Sequence, residues 1–442
     1  MTADLSDSTT GPRRLHAEIA SVTAGAAIGV IGTGFRQTAS FGYRHFAAWL
    51  DAAAAAGASG WLLGAAVGGV LVAASVFVTR RFAPEDAGSG IQEIEGTLAG
   101  TLPMVRWRQA LPVKFFGGLL SLTAGLLLGR EGPTIHMGGS IGAALAERPG
   151  APKESMRLFV GAGAAAGLAT AFGAPIAGVL FALEELRREF PPTRTAVRCV
   201  ALASVVAVAV GMLLAGTGRV LPVAPTAAPR PLEVALVVPF AILIGAFGVL
   251  FNKGVSASAG AYRAVVRRAG WFAPALVVGA GIGALVFAFH DATGGGEDLT
   301  VQLLAAPPAL RLLAVLLAVR FVLFQVSYAS GVPGGIFAPQ LAFGAILGLL
   351  FTGVVGQYWS ALALGRTNWA LAGMAALIAA TVRTPLTGLA LVVEMTGSYQ
   401  VLLMALVAAI AADLTAKALG GRPIYEEILE RELQAMPLTP SR

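Results

Sequence analysis

Three glycine-rich turns stand where helices are expected to begin: Gly88-Ser-Gly-Ile-Gln-Glu93, Gly129-Arg-Glu-Gly-Pro133 and Gly335-Ile-Phe-Ala-Pro339. Glycines let the backbone approach a ligand closely, and the free N–H groups and partial positive charge of a helix start favour an anion. Three such starts together could replace the hydration shell of a halide without placing a full positive charge beside it. A lysine holds a permeating ion tightly, whereas partial charges permit release. Each turn alone reads equally well as a helix-packing break; the three together, in apolar surroundings, point to an anion path. Glu131 lies inside the second turn. An ionisable group within an apolar segment is a functional candidate by default, and the competing reading is a helix-capping acid paired with Arg130.

The elements that must position these turns follow from composition. Of 442 residues, 56% are hydrophobic and only 12% charged, where a soluble chain carries about 25% charged residues. Most of the surface therefore faces something other than water, and the chain reads as an all-α polytopic membrane protein. A single cysteine, Cys199, excludes a disulfide scaffold or a cysteine metal cluster. The net charge of +7 comes from short basic groups between apolar stretches, such as Arg80-Arg81 and Arg187-Arg188. That pattern reads as juxtamembrane charge facing a lipid bilayer rather than a nucleic-acid surface. No cleavable signal peptide is evident in the polar first sixteen residues.

Stretches free of Asp, Glu, Lys and Arg run approximately over 52–79, 158–183, 199–218, 234–252, 269–290 and 395–412. The longest, Phe321 to Gly365, has 45 residues, enough for two crossings, and is interrupted by Ser330-Gly-Val-Pro-Gly-Gly. Segments 113–128 and 132–146 are too short to span. Short, Gly/Pro-interrupted apolar segments predict tilted, broken helices around a buried site.

The chain also repeats itself. Gly173-Ala-Pro-Ile-Ala-Gly-Val-Leu-Phe-Ala-Leu-Glu184 aligns with Arg383-Thr-Pro-Leu-Thr-Gly-Leu-Ala-Leu-Val-Val-Glu394, with proline, glycine and glutamate at identical spacing. Gly132 to Gly142 resembles Gly334 to Gly344 at a nearly equal offset. Two related halves, about 15–220 and 232–430, are the expectation. Glu184 and Glu394 correspond, so a shared structural role is the simplest account of both. Glu185 corresponds to Met395 and Glu131 to Pro333. A charge present in only one half is not required by a shared fold, which makes these two glutamates the functional candidates. For Glu185, an interfacial acid balanced by Arg187 and Arg188 is the competing reading.

In family order, GSGIQEIEG, GREGPTIHMGGSIG, AFGAPIAGVLFALEEL, SGVPGGIFAP, RTPLTGLALVVEMT and GRPIY resemble the signature regions of the CLC chloride channels and chloride/proton antiporters, from about residue 88 to 425. The resemblance implies an inverted repeat of tilted and broken transmembrane helices. It further implies a homodimer with one anion path per subunit, no cofactor, and both termini in the cytoplasm. The cytoplasmic regulatory domains of many eukaryotic members are not expected, since only a short tail follows Tyr425. The short tail, and a whole chain with four lysines against many arginines, fit a bacterial inner membrane.

By the same resemblance Glu131 is the gating glutamate and outer proton acceptor, and Glu185 the inner proton-transfer group. Ser89 and Tyr425 donate hydroxyl hydrogen bonds to the central anion, although their local sequences read as a helix N-cap and an interfacial aromatic. Ile336 and Phe337 contribute backbone N–H groups, Gly88 lines the inner mouth, and Arg130 and Gly132 lie beside the outer site. One residue departs from the family pattern: Gln92 stands where GSGIP has proline, keeping a backbone N–H and adding a polar side chain.

The expected activity is chloride/proton exchange. The alternatives are a passive chloride channel of the same fold, which needs no Glu185, and a fluoride/proton antiporter, disfavoured by Ser89. An enzyme is not expected: four histidines, one cysteine and no HExxH offer no metal or nucleophile constellation.

Overall fold

The computed structural model describes residues 11–149, 155–186, 193–224, 226–358 and 365–435. Among them lie seventeen α-helices and no strand. The first eight are α1 (Gly11–Ala55), α2 (Gly60–Phe82), α3 (Ile91–Ala99), α4 (Trp107–Thr123), α5 (Glu131–Ala146), α6 (Met156–Phe172), α7 (Pro175–Glu184) and α8 (Arg194–Ala215). There follow α9 (Pro231–Ala269), α10 (Phe272–Ala288), α11 (Glu297–Ala305), α12 (Leu310–Ala329), α13 (Phe337–Val355), α14 (Arg366–Val382), α15 (Pro385–Thr396), α16 (Leu402–Ala418) and α17 (Ile424–Ala435). Seven elements are long and apolar enough to cross a membrane: α1, α2, α8, α9, α12, α13 and α16 with the turn before it.

The apolar runs break where backbone chemistry demands it. The 158–183 run is split at Gly173, whose φ of 63° ends α6, and Pro175 then opens α7 with no N–H to waste. Arg383 ends α14 in the same left-handed region, at φ 75°, the one non-glycine with positive φ among the described residues. That conformation costs roughly 1–2 kcal/mol for a side chain bearing Cβ. The Arg383 guanidinium offsets it by donating to Asp413 Oδ1 at 3.1 Å and to the Gly421 carbonyl at 2.8 Å. The long 321–365 run divides likewise into α12 and α13, with 330–336 as non-helical chain between them.

Glycines let the buried helices touch backbone to backbone, as small residues do where lipid supplies no hydrophobic drive. A methyl group on Gly138 or Gly163 would strike the other's carbonyl across α5 and α6. Gly344 and Gly373 make the same contact across α13 and α14.

Glu184 and Glu394 exchange places as helix caps. Glu394, on α15, accepts from Ile176 N at 3.0 Å and Ala177 N at 2.8 Å in the first turn of α7. Glu184, on α7, accepts from Leu386 N at 3.0 Å and Thr387 N at 2.6 Å, and from Thr387 Oγ1 at 2.7 Å, in the first turn of α15. A carboxylate at a helix N-terminus satisfies orphan N–H groups and meets the positive end of the dipole.

Candidate anion site

Three helix starts converge on one spot. The turns before α5 and α13 pair with each other, Gly129 N donating to Gly335 O at 2.8 Å and Gly335 N to Gly129 O at 2.6 Å. The turn before α3 joins them, with Gly88 N on Val332 O at 3.2 Å and Gly334 N on Gly88 O at 3.1 Å. A Cβ on Gly132 would lie 2.7 Å from Ser89 Oγ and 2.8 Å from Gly335 Cα, so glycine is what admits the approach.

Glu131 occupies the point of convergence and is fully buried. Its Oε1 accepts from Phe337 N at 2.7 Å and Ala338 N at 3.3 Å, at the start of α13. Its Oε2 has no partner among the described residues. A carboxylate on helix-start N–H groups occupies the kind of seat a small anion takes. Cβ atoms on Gly129 or Gly335 would overlap that carboxylate, so both glycines make room for it. The donors to Glu131 are thus Phe337 and Ala338, while Ile336 serves as the N-cap of α13.

Ser89 and Tyr425 are fully buried. The N-cap of α3 is Gly90, in left-handed backbone, so the capping alternative for Ser89 fails and its hydroxyl is left for other work. Burial likewise removes Tyr425 from any interfacial belt. The two hydroxyls face each other, and neither closes a hydrogen bond of ordinary geometry among the described residues. Buried orphaned hydroxyls are rare enough to demand a reason. The Tyr425 ring stacks at 6.3 Å on that of Phe337, which brings α17 onto the start of α13.

Gly88, at φ 77°, has its carbonyl shared by Gly334 N and by Lys114 Nζ, 3.2 Å away. Lys114 is fully buried on α4 and was not anticipated; a lone lysine beside an apolar segment, one of four in the chain, was the available signal.

Arg130 does not pair with Glu131. It reaches away to Glu297 Oε2 at 2.8 Å, with Ser40 Oγ at 3.3 Å, in a cleft also lined by Arg36 and Arg44. Glu297 is presented by the loop 290–296, which the fully buried Arg320 holds by donating to the carbonyls of Asp291, Thr293 and Gly294 at 3.0, 3.0 and 3.1 Å. The helix-capping account of Glu131 through Arg130 therefore has no ion pair behind it. Glu185 lies elsewhere, at the C-cap of α7, beside Glu95 of α3 and near Glu184 and Glu426. Arg187 and Arg188, its partners in the interfacial reading, fall outside the described residues.

The model of the family described as "Voltage gated chloride channel" matches residues 68–417. The chain belongs to this family, the CLC proteins. Its relatives include the H(+)/Cl(-) exchange transporters ClcA of Vibrio cholerae, 37% identical over 95% of this chain and 90% of theirs, and of Cronobacter sakazakii, 37% identical over 94% and 89%. Among solved structures, a slow cyanobacterial Cl-/H+ antiporter superposes with a TM-score of 0.90 at 34% identity, covering 95% of this chain and 99% of that one. A CLC-type fluoride/proton antiporter, at 18% identity and a TM-score of 0.74 over 92% and 97%, shares the fold alone. The chain is thus an integral, multi-pass CLC membrane protein, a transporter rather than an enzyme.

Proposed function

We propose that this CLC protein exchanges chloride for protons, with Glu131 alternating between plug and proton carrier. The observation that carries the reading is the Glu131 carboxylate on the Phe337 and Ala338 N–H groups. Carboxylate and chloride bear the same charge and want the same donors, so one excludes the other. A proton on Glu131 removes the negative charge that holds it there; the neutral acid swings aside and an anion takes the N–H groups. When the proton leaves toward the opposite side, the carboxylate returns and expels the anion. Two opposite fluxes are thereby tied to one side chain.

In this reading Ser89 and Tyr425 donate their free hydroxyls to the next anion inward, where neutral dipoles orient without trapping. Gly88 lines the inner mouth, while Arg130 and Gly132 flank the outer seat. Glu185 passes the proton to the inner solution by a route separate from the anion path. The chain works as a homodimer with one path per subunit, in a bacterial inner membrane with both termini cytoplasmic. Its two halves, about 15–220 and 232–430, have opposite orientation, and the exchange of caps between Glu184 and Glu394 supports that pairing. The passive-channel alternative leaves Glu185 without a task, and Ser89 speaks against fluoride.

The test uses purified protein in liposomes loaded with high chloride and diluted into low chloride, with the potential held by a potassium ionophore. Exchange moves protons inward as chloride leaves, and Glu131→Gln lets chloride pass without protons. Chloride efflux with no proton movement in the unaltered protein would make it a channel and remove the role given to Glu185.

A further inference from the structure

Gln92, the departure from the family pattern, does more than replace a proline. It lies one residue into α3 and is almost wholly buried. Its Nε2 donates to Glu432 Oε1 at 3.2 Å and to Glu93 Oε1 at 3.2 Å. Glu432 belongs to α17, the helix that opens with Ile424 and Tyr425. The hydrogen bond therefore joins the two helices whose beginnings carry the hydroxyls of Ser89 and Tyr425. Proline at position 92 has no donor with which to make it. Another fixed point of α17 is Glu427, which accepts from Ser256 Oγ of α9 at 2.6 Å. Lys114 Nζ of α4 also holds the Gly88 carbonyl of the Ser89 turn. The turn is thus held both by α4 through Lys114 and by α17 through Gln92.

We propose that Gln92 is a positioning residue for the central anion site: through Glu432 it fixes the separation of α3 and α17, and so the distance between the Ser89 and Tyr425 hydroxyls. The inference rests on the reading of those two hydroxyls as anion donors. A halide accepts from both hydroxyls only if they stand at the right spacing, and a tie one turn beyond Ser89 and two turns beyond Tyr425 sets that spacing without touching the ion. A hydrogen bond to a charged acceptor is strong enough that losing it weakens anion binding by about threefold to tenfold, allowing for partial relaxation of the helices.

The experiment is chloride titration calorimetry on the detergent-purified full chain, comparing Gln92→Leu, Glu432→Leu, Glu432→Gln and the double leucine variant, with Ser89→Ala and Tyr425→Phe as controls. Gln92→Leu and Glu432→Leu should each weaken chloride binding about threefold to tenfold, with the double variant no worse than either. Glu432→Gln, whose carbonyl still accepts from the Gln92 amide, should recover most of the affinity, which loss of general stability would not do. If Gln92→Leu does not fold, the contrast between Glu432→Leu and Glu432→Gln decides alone. Unchanged affinity in the leucine variants, with weakened binding in the Ser89 and Tyr425 controls, overturns the role of Gln92 and leaves the site intact. Unchanged affinity in those controls overturns the anion-site reading itself, and the inference with it.

Discussion

Gly129→Ala isolates the seat of the Glu131 carboxylate. The φ of Gly129 is not positive, so alanine fits its backbone, and the three atoms nearest to an added Cβ all belong to the Glu131 carboxylate. The overlap obliges that group to retreat by about 1.5 Å to reach ordinary contact. A retreat of that size stretches the 2.7 Å bond from Phe337 N beyond hydrogen-bonding range and abolishes the 3.3 Å bond from Ala338 N. A hydrogen bond to a charged group contributes about 1.5–3 kcal/mol, so the plug loses roughly tenfold to hundredfold in occupancy. Chloride, the competitor, should bind more tightly by a comparable factor at pH 8, where the plug opposes it most. The assay is titration calorimetry at pH 8, with chloride and proton flux in liposomes beside it; the variant should also move fewer protons per chloride. Tighter binding absent, with the coupling of the two fluxes unchanged, would mean that the carboxylate and the anion do not compete for the α13 N–H groups, and the mechanism would have to be abandoned.

Two further outcomes follow from contacts away from the path. Glu394→Ala strips Ile176 and Ala177 of their acceptor and should cost about 3 kcal/mol of stability in mixed-micelle unfolding, while the proton-to-chloride ratio of the surviving protein stays unchanged; altered coupling at full stability would make Glu394 functional. Burial pushes the Glu432 carboxyl up to about 7, against the Gln92 hydrogen bond and the Lys114 and Arg263 charges that pull it down. Its pKa in the folded chain thus exceeds the unfolded value of 4.5, so its contribution to stability is complete below pH 4.5 and is lost as the pH rises to about 7, on the order of 3 kcal/mol in all. Thermal unfolding in detergent should fall across that window in the unaltered protein, and Glu432→Gln should remove that share of the slope.

The breaks in the helices were legible because glycine and proline announce them. Ser330-Gly-Val-Pro-Gly-Gly divides the longest apolar run where α12 ends and α13 follows. The equivalence of Glu184 and Glu394 was legible from spacing, though not what each one holds. Each caps a helix more than 200 positions away, and sequence periodicity carries no such information. Arg130 shows the same limit: its neighbour in sequence is Glu131, but its ion pair is with Glu297. Ser89 misleads for a local reason. It has the composition of an N-cap, yet the left-handed Gly90 moves the cap one residue onward and leaves the hydroxyl free. What the Gln92 side chain does depends on α17, more than 300 residues downstream.

The traded caps of Glu184 and Glu394 bear on how large a motion transport can use. Any rocking of the N-terminal part of the chain against the C-terminal part must break the bonds to the Ile176, Ala177, Leu386 and Thr387 amides, together with the mutual bonds of Gly129 and Gly335. Six bonds at roughly 1–3 kcal/mol each oppose such a motion. The four capped amides should accordingly stay protected from deuterium while the protein cycles, and their rapid exchange during transport would contradict this. Like a lock whose case is riveted shut, the molecule in the proposed mechanism keeps one moving part at its centre, Glu131, and the throw of that bolt is the length of a glutamate side chain.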